Sequence, residues 1–137
     1  LMSEFWLSEI LVCLVRMNHP LFDEAISVKQ FLSVPQIWVS GGQRTGMVDQ
    51  WLKENNLRRN VAHTTPSFLI APSVVAQTDM LVVTPMSIAQ HYVDKMDLKI
   101  LPLPMKLASF DLHTIWHPFH ASSPAHDWFR QQLLIFS

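Results

Sequence analysis

The run "EILVCLVR" (Glu9–Arg16) sets the first limit on what this chain can become. It is dense in apolar and β-branched residues and shows no regular polar alternation. A strand with one wet face alternates, so this run reads as a strand buried on both faces. Pro20, in "MNHPL", stops any ladder that follows. Such a strand needs cover above and below, which the remaining elements are expected to supply.

Those elements alternate. "SVKQFLS" reads as a short helix capped by Ser27, and "QIWVS" as a strand. "SGGQRTG" is a loop. In "GMVDQWLKENN", Met47, Val48, Trp51 and Leu52 recur at helical spacing, and the helix closes at Asn55–Asn56. "RRNVAHTT" (Arg58–Thr65) is a third strand. In "PSFLIAPSVVAQTD", Pro66 before Ser67 suits a helix start, but Pro72 would then kink or break the helix. "MLVVT" is a buried strand, "PMSIAQHYVDKM" a helix with Pro85 at its first turn, and "LKILPLP" an edge-like strand bounded by prolines. "FDLHTIWH" is a last strand. "SPAHDWFRQQLLIF" is a last helix, with Ser123 as cap and Pro124 at its first position. Alternation of this kind predicts an α/β unit with a largely parallel sheet and helices on its faces.

Composition narrows the function. Ten basic and eleven acidic residues leave a net charge of −1 with no basic stripe, which disfavours a grip on nucleic acid by this chain alone. No apolar run approaches the roughly 20 residues of a membrane span. The single cysteine, Cys13, excludes an internal disulfide and sits in the apolar run, where an inert thiol is expected.

Four histidines, His113, His117, His120 and His126, crowd "HTIWHPFHASSPAH". His113 and His117 lie four apart on the expected strand and so share a face. His120 and His126 follow in a loop and a helix. The spacing matches no usual zinc pattern, and no metal is expected. No G-x-S-x-G elbow, P-loop or G-x-G-x-x-G fingerprint occurs, so hydrolase and nucleotide chemistry lack support. The three glycines, Gly41, Gly42 and Gly46, share one strand-to-helix loop whose backbone N–H groups are free to face an anion. The plain alternative is an ordinary glycine turn.

In order along the chain, "LVCLVRMNHPL", "VDQWLKENNLRRNVA", "PSFLIAPSVVAQTDMLVVTPMSIA" and "LPLPMKLASFDLHTIWHPFHASSPAHDWFRQQL" resemble the C-terminal half of LysR-type transcriptional regulators. The subgroup is that of the nodulation, salicylate-responsive and leucine-operon-linked regulators. The resemblance implies a periplasmic-binding-protein-like (type II) fold with two α/β lobes. Residues 1–109 would form the second lobe, with a mostly parallel sheet. Residues 110–137 would supply the return strand and last helix of an incomplete first lobe. The histidine-rich tail would then be a strand and a helix, not a metal site. The N-terminal winged helix-turn-helix and the front half of the first lobe would be missing, so the chain is expected to be a fragment.

By the same resemblance the chain is a non-enzymatic effector sensor. It would take a small anionic or aromatic molecule between the lobes and need no cofactor. It would touch DNA only through the missing helix-turn-helix, stay off membranes, form homo-oligomers and work in the cytoplasm. The ligand wall would comprise Ser40, Gly41, Gly42, Gln43, Ser67, Phe68, Thr84 and Pro85. A helix start near Ser67 would help hold the anionic group, and a crossover near His113 would serve as hinge. The competing class is a solute-binding lobe of a transporter-type binding protein, and an α/β enzyme ranks third.

Overall fold

The computed structural model describes residues 1–40 and 46–136. Its elements run β1 (Met2–Glu9), β2 (Leu11–Arg16), α1 (Val28–Ser33), β3 (Gln36–Val39), α2 (Met47–Glu54), β4 (Val61–Thr65), α3 (Ala71–Ala76), β5 (Leu81–Pro85), α4 (Met86–Val93), β6 (Leu98–Pro102), β7 (Phe110–Trp116) and α5 (Pro124–Ile135). The chain divides into two compact units. One joins residues 1–9 to 109–137, and the other is continuous from Ile10 to Ala108.

The continuous unit is built on a five-stranded sheet of order β4-β3-β5-β2-β6. β3 lies parallel to β4 and to β5, whereas β2 is antiparallel to both its neighbours, β5 and β6. Four strands therefore run one way and β2 alone is reversed. The sheet is mixed, with the expected parallel majority.

β2 behaves as its composition requires. Val12, Cys13, Leu14 and Val15 are all buried. Alternate side chains go to opposite faces of a strand. Cys13 and Val15 join a core with Phe31, Val34, Val48 and Leu52, under α1 and α2. Val12 and Leu14 join a second core with Ala71, Val75 and Ala89, under α3 and α4. Each large aliphatic side chain moved from water to such a core contributes about 1.5–3 kcal/mol.

Local chemistry sets the ends of these elements. Ser27 opens α1 with a reciprocal cap. Its Oγ accepts from Gln30 N–H at 3.1 Å, and Gln30 Oε1 accepts from Ser27 N–H at 3.0 Å. α2 ends where the paired asparagines suggest. Asn56 takes a left-handed conformation (φ 55°), Leu57 N–H donates to Leu52 C=O at 2.8 Å, and Asn56 N–H donates to Lys53 C=O. This is a Schellman ending, with Leu52 and Leu57 supplying its apolar contact. His19 closes the turn after β2. Its Nδ1 accepts from Leu21 N–H, its Nε2 donates to Asp79 C=O at 2.7 Å, and its ring stacks on Phe22.

The smaller unit pairs β1 with β7 antiparallel, from Met2 opposite Trp116 to Glu9 opposite Phe110. Ser123 caps α5, as expected, by accepting from His126 N–H. Trp6 Nε1 ties the helix to β1 by donating to Leu133 C=O at 2.9 Å.

Three expectations need correction. The sequence reading assigned no strand to residues 2–8 and placed them with the second lobe; they pair with β7 instead. No helix starts near Ser67. Residues 68–70 form a turn and α3 begins at Ala71, which puts Pro72 in the first turn, where it lacks no needed hydrogen bond. His117 has left the strand and caps a short 3-10 turn over Pro118–His120.

Burial pushes the Cys13 thiol from 9.0 up to about 12, with Arg59 pulling weakly the other way. The proton is therefore held more tightly in the folded chain than in the unfolded one. That stabilisation is complete below the unfolded pKa and is lost as pH rises from about 9 towards 12. Cys13 is expected to react with a thiol reagent only as fast as the chain opens, and stability should decline above about pH 9 less steeply in Cys13→Ala. Rapid labelling of the native protein at neutral pH would contradict this.

Candidate functional site

The parallel strands β3, β4 and β5 end together on one side of the continuous unit. Ligands of open α/β sheets are bound at such carboxyl ends. Ser40 follows β3, Thr65 ends β4, and Thr84 is the next-to-last residue of β5, before Pro85. Ser40 N–H donates to Thr65 C=O at 3.1 Å, which joins the first two strand ends. Thr65 Oγ1 accepts from Ser67 N–H, and Ser67 Oγ accepts from Leu69 N–H, both at 3.2 Å. These two hydroxyls shape the turn that carries the half-buried Phe68.

Thr84 differs. It is 2% exposed, and its Oγ1 has no hydrogen-bond partner among the described residues. The strand register accounts for the burial, since Thr84 lies opposite Val12 of β2 and shares its sheet face. A buried hydroxyl left unpaired costs about 1–3 kcal/mol. Pro85 is the last residue of β5, opposite Leu11, and Met86 N–H bonds Ile10 C=O at 2.9 Å as α4 begins.

The structure thus brings Ser40, Ser67, Phe68, Thr84 and Pro85 to this end of the sheet or the turn beside it. Gly41, Gly42 and Gln43 lie outside the described residues. His113 does not belong with the others. It is exposed in the middle of β7, edge-on to Phe5 with ring centroids 6.0 Å apart. The chain passes between the two units at residues 9–10 and 108–109, so His113 is not at a crossover. Thr65 was missed by sequence reasoning. Its signal is its place as the last residue of a strand in a parallel sheet.

The histidine-rich tail resolves into packing. His120 and His126 stack at 5.3 Å with planes 11° apart, and the guanidinium of Arg130 lies 4.0 Å above the Trp116 ring. Arg130 also pairs with Asp127 at 2.8 Å across one helical turn. Trp116 Nε1, His126 Nδ1 and Arg130 Nη1 are buried without a partner among the described residues. No group of three His, Cys, Asp or Glu residues could hold a metal among the described residues, and no described helix is long and apolar enough to cross a membrane.

Comparison with known proteins adds four likenesses. The model of the LysR substrate binding domain matches residues 1–135. The HTH-type transcriptional activator NahR of Pseudomonas putida is 29% identical over 121 residues, which cover 88% of this chain and 40% of that protein. The chain spans about two fifths of the length of the curated relatives it matches. The regulatory domain of MexT, a transcriptional activator in Pseudomonas aeruginosa, superposes with a TM-score of 0.84 at 22% identity, over 99% of this chain and 67% of that one. The effector binding domain of QuiR, in complex with shikimate, superposes at 0.67 with 18% identity, over 98% of this chain and 65% of that one. At these identities the two structures speak for the fold alone.

The stacked histidines lead to a prediction. Purified protein should carry no stoichiometric zinc, and its melting temperature should be unchanged by a chelator. Elemental analysis with melting in EDTA checks this; a large chelator-induced loss of stability would make the tail a metal site.

Proposed function

The chain belongs to the LysR substrate binding domain family, and on that premise we propose that it is the effector-sensing part of a LysR-type transcriptional regulator. The effector is a small anionic or aromatic molecule seated at the carboxyl ends of β3, β4 and β5. Thr84 carries this reading. Its hydroxyl is buried at the end of β5 with no partner among the described residues, and a ligand oxygen or nitrogen that reaches it as the cover over the strand end gives way would satisfy it. Ser40, the loop Gly41–Gln43, Ser67, Phe68 and Pro85 form the surrounding wall. The backbone N–H groups of the glycine loop suit an anionic group, and Phe68 suits a ring. A fold neighbour that binds shikimate supports a small polar ligand. The chain performs no chemistry on the ligand. Binding selects one conformation of the regulator and so changes how parts outside these residues hold DNA, in the cytoplasm.

Thr84→Val tests the site. Valine keeps the shape and removes an unpaired hydroxyl, so melting should stay level or rise. Effector response in the intact regulator should fall, and so should binding in a panel of small aromatic and alicyclic carboxylates that includes shikimate. Wild-type affinity in the variant, for a compound that binds the parent chain, would remove Thr84 from the site.

Homo-oligomers are the second part of the proposal. In the smaller unit Phe119 is 81% exposed, Phe136 80%, Trp128 62% and Phe129 55%. Side chains of that size are costly to leave in water. Light scattering behind a sizing column should find a dimer or larger species at micromolar concentration. A clean monomer would sink this part.

A further inference from the structure

At the opposite end of β3 and β4 lies a cleft of about 540 Å³, lined by Asp49, Lys53, Arg58 and Arg59 and by the apolar Leu52, Leu57 and Val61, with Asn56 at its edge. The volume falls in the range of small-molecule sites, roughly 300–1,000 Å³. The Schellman turn positions its wall. It reverses the chain directly after α2 and brings Lys53 and Arg58 to one opening.

Three cations meet one carboxylate here. The Arg59 side chain is 6% exposed and donates from Nη2 to Asp49 Oδ2 at 2.8 Å. Its Nη1 reaches Gln36 Oε1 only at 3.5 Å, and its Nε has no partner among the described residues. A guanidinium carries five N–H donors, so this buried one is under-satisfied and keeps positive potential at the cleft. Asp49 offsets Arg59 alone. Lys53 and Arg58 are exposed and make no ion pair among the described residues. Two uncommitted positive charges on a chain of net charge −1 are thereby concentrated around an apolar floor.

We propose that this cleft is a second ligand site, for a small organic dianion with an apolar body. Its two anionic groups pair with Lys53 and Arg58, and its body rests on Leu57 and Val61. The site does not rest on the effector reading. It lies at the amino ends of the parallel strands, whereas Thr84 lies at their carboxyl ends.

The test is titration of the whole chain with benzene-1,2-dicarboxylate, succinate and inorganic phosphate, followed by calorimetry and by the Arg59 Nε–H signal in NMR. The aromatic dianion should bind most tightly, shift that signal, and weaken as salt rises. Lys53→Gln with Arg58→Gln should weaken it about tenfold, since both exposed charge pairs with the ligand are lost. Both positions are exposed, so the variant should fold, and its melting curve serves as control. Thr84→Val should leave this binding unchanged. No saturable binding by any of the three, equal affinity in the double variant, loss of binding in Thr84→Val, or phosphate binding as tightly as the aromatic dianion would each overturn the proposal.

Discussion

Burial of β2 on both faces is the constraint on which the larger unit depends. A strand that offers Val12 and Leu14 to one side and Cys13 and Val15 to the other requires two separate cores. Each core in turn requires a pair of helices. α1 and α2 complete one, and α3 and α4 the other. The reversed direction of β2 has a further effect. It is hydrogen-bonded between β5 and β6, so its own ladder joins the two strands that follow α3 and α4. Position 84 is dry because it faces this strand. The proposed effector wall thus derives its buried hydroxyl from the same feature that divides the core.

Polar groups at the two ends of the sheet are treated differently. At the amino end, Gln36 is fully buried and donates to Phe31 C=O at 2.6 Å, while Arg59 reaches both Gln36 and Asp49. This is a chain of side chains anchoring β3 to α1, to α2 and to the segment that leads into β4. At the carboxyl end, Thr65 and Ser67 spend their hydroxyls on the turn, and Thr84 has none of that local employment. Removing one member of a buried charged pair is far more damaging than trimming an unpaired hydroxyl.

Much of this was legible in the sequence, where local chemistry decides the outcome. Ser27, Ser123 and Pro124 announce helix starts, Asn55–Asn56 announces a helix end, and "LVCLVR" announces a two-faced strand. The failures share a cause. "MSEFWLSE" has no partner within a hundred residues of itself, so nothing nearby marks it as a strand; only Phe110–Trp116 makes it one. Ser67 after Pro66 looked like a helix start, yet its hydroxyl serves a turn and the helix waits for Ala71. Of the candidate site, the strand-end residues Ser40, Thr84 and Pro85 were named from the resemblance, and they lie at the carboxyl ends of β3 and β5. Thr65 was not named, although it too ends a parallel strand beside them. His113 was misplaced because the resemblance set the crossover at its strand, whereas the chain crosses between the units at residues 9–10 and 108–109.

The pairing of Met2 with Trp116 has a kinetic consequence. Residues 10–108 form one uninterrupted stretch, whereas β1 and β7 meet only across that whole length. Closing a long flexible loop is entropically unfavourable, by roughly (3/2)RT ln n for n residues, and pairings of high sequence separation form late. Once the intervening stretch has collapsed, its ends are held far closer than in a free coil. Formation of the inner unit therefore acts as a template that shortens the effective tether, and the β1–β7 ladder zips afterwards. On a ribosome, residues 2–9 would wait for their partner until residues 110–116 had emerged.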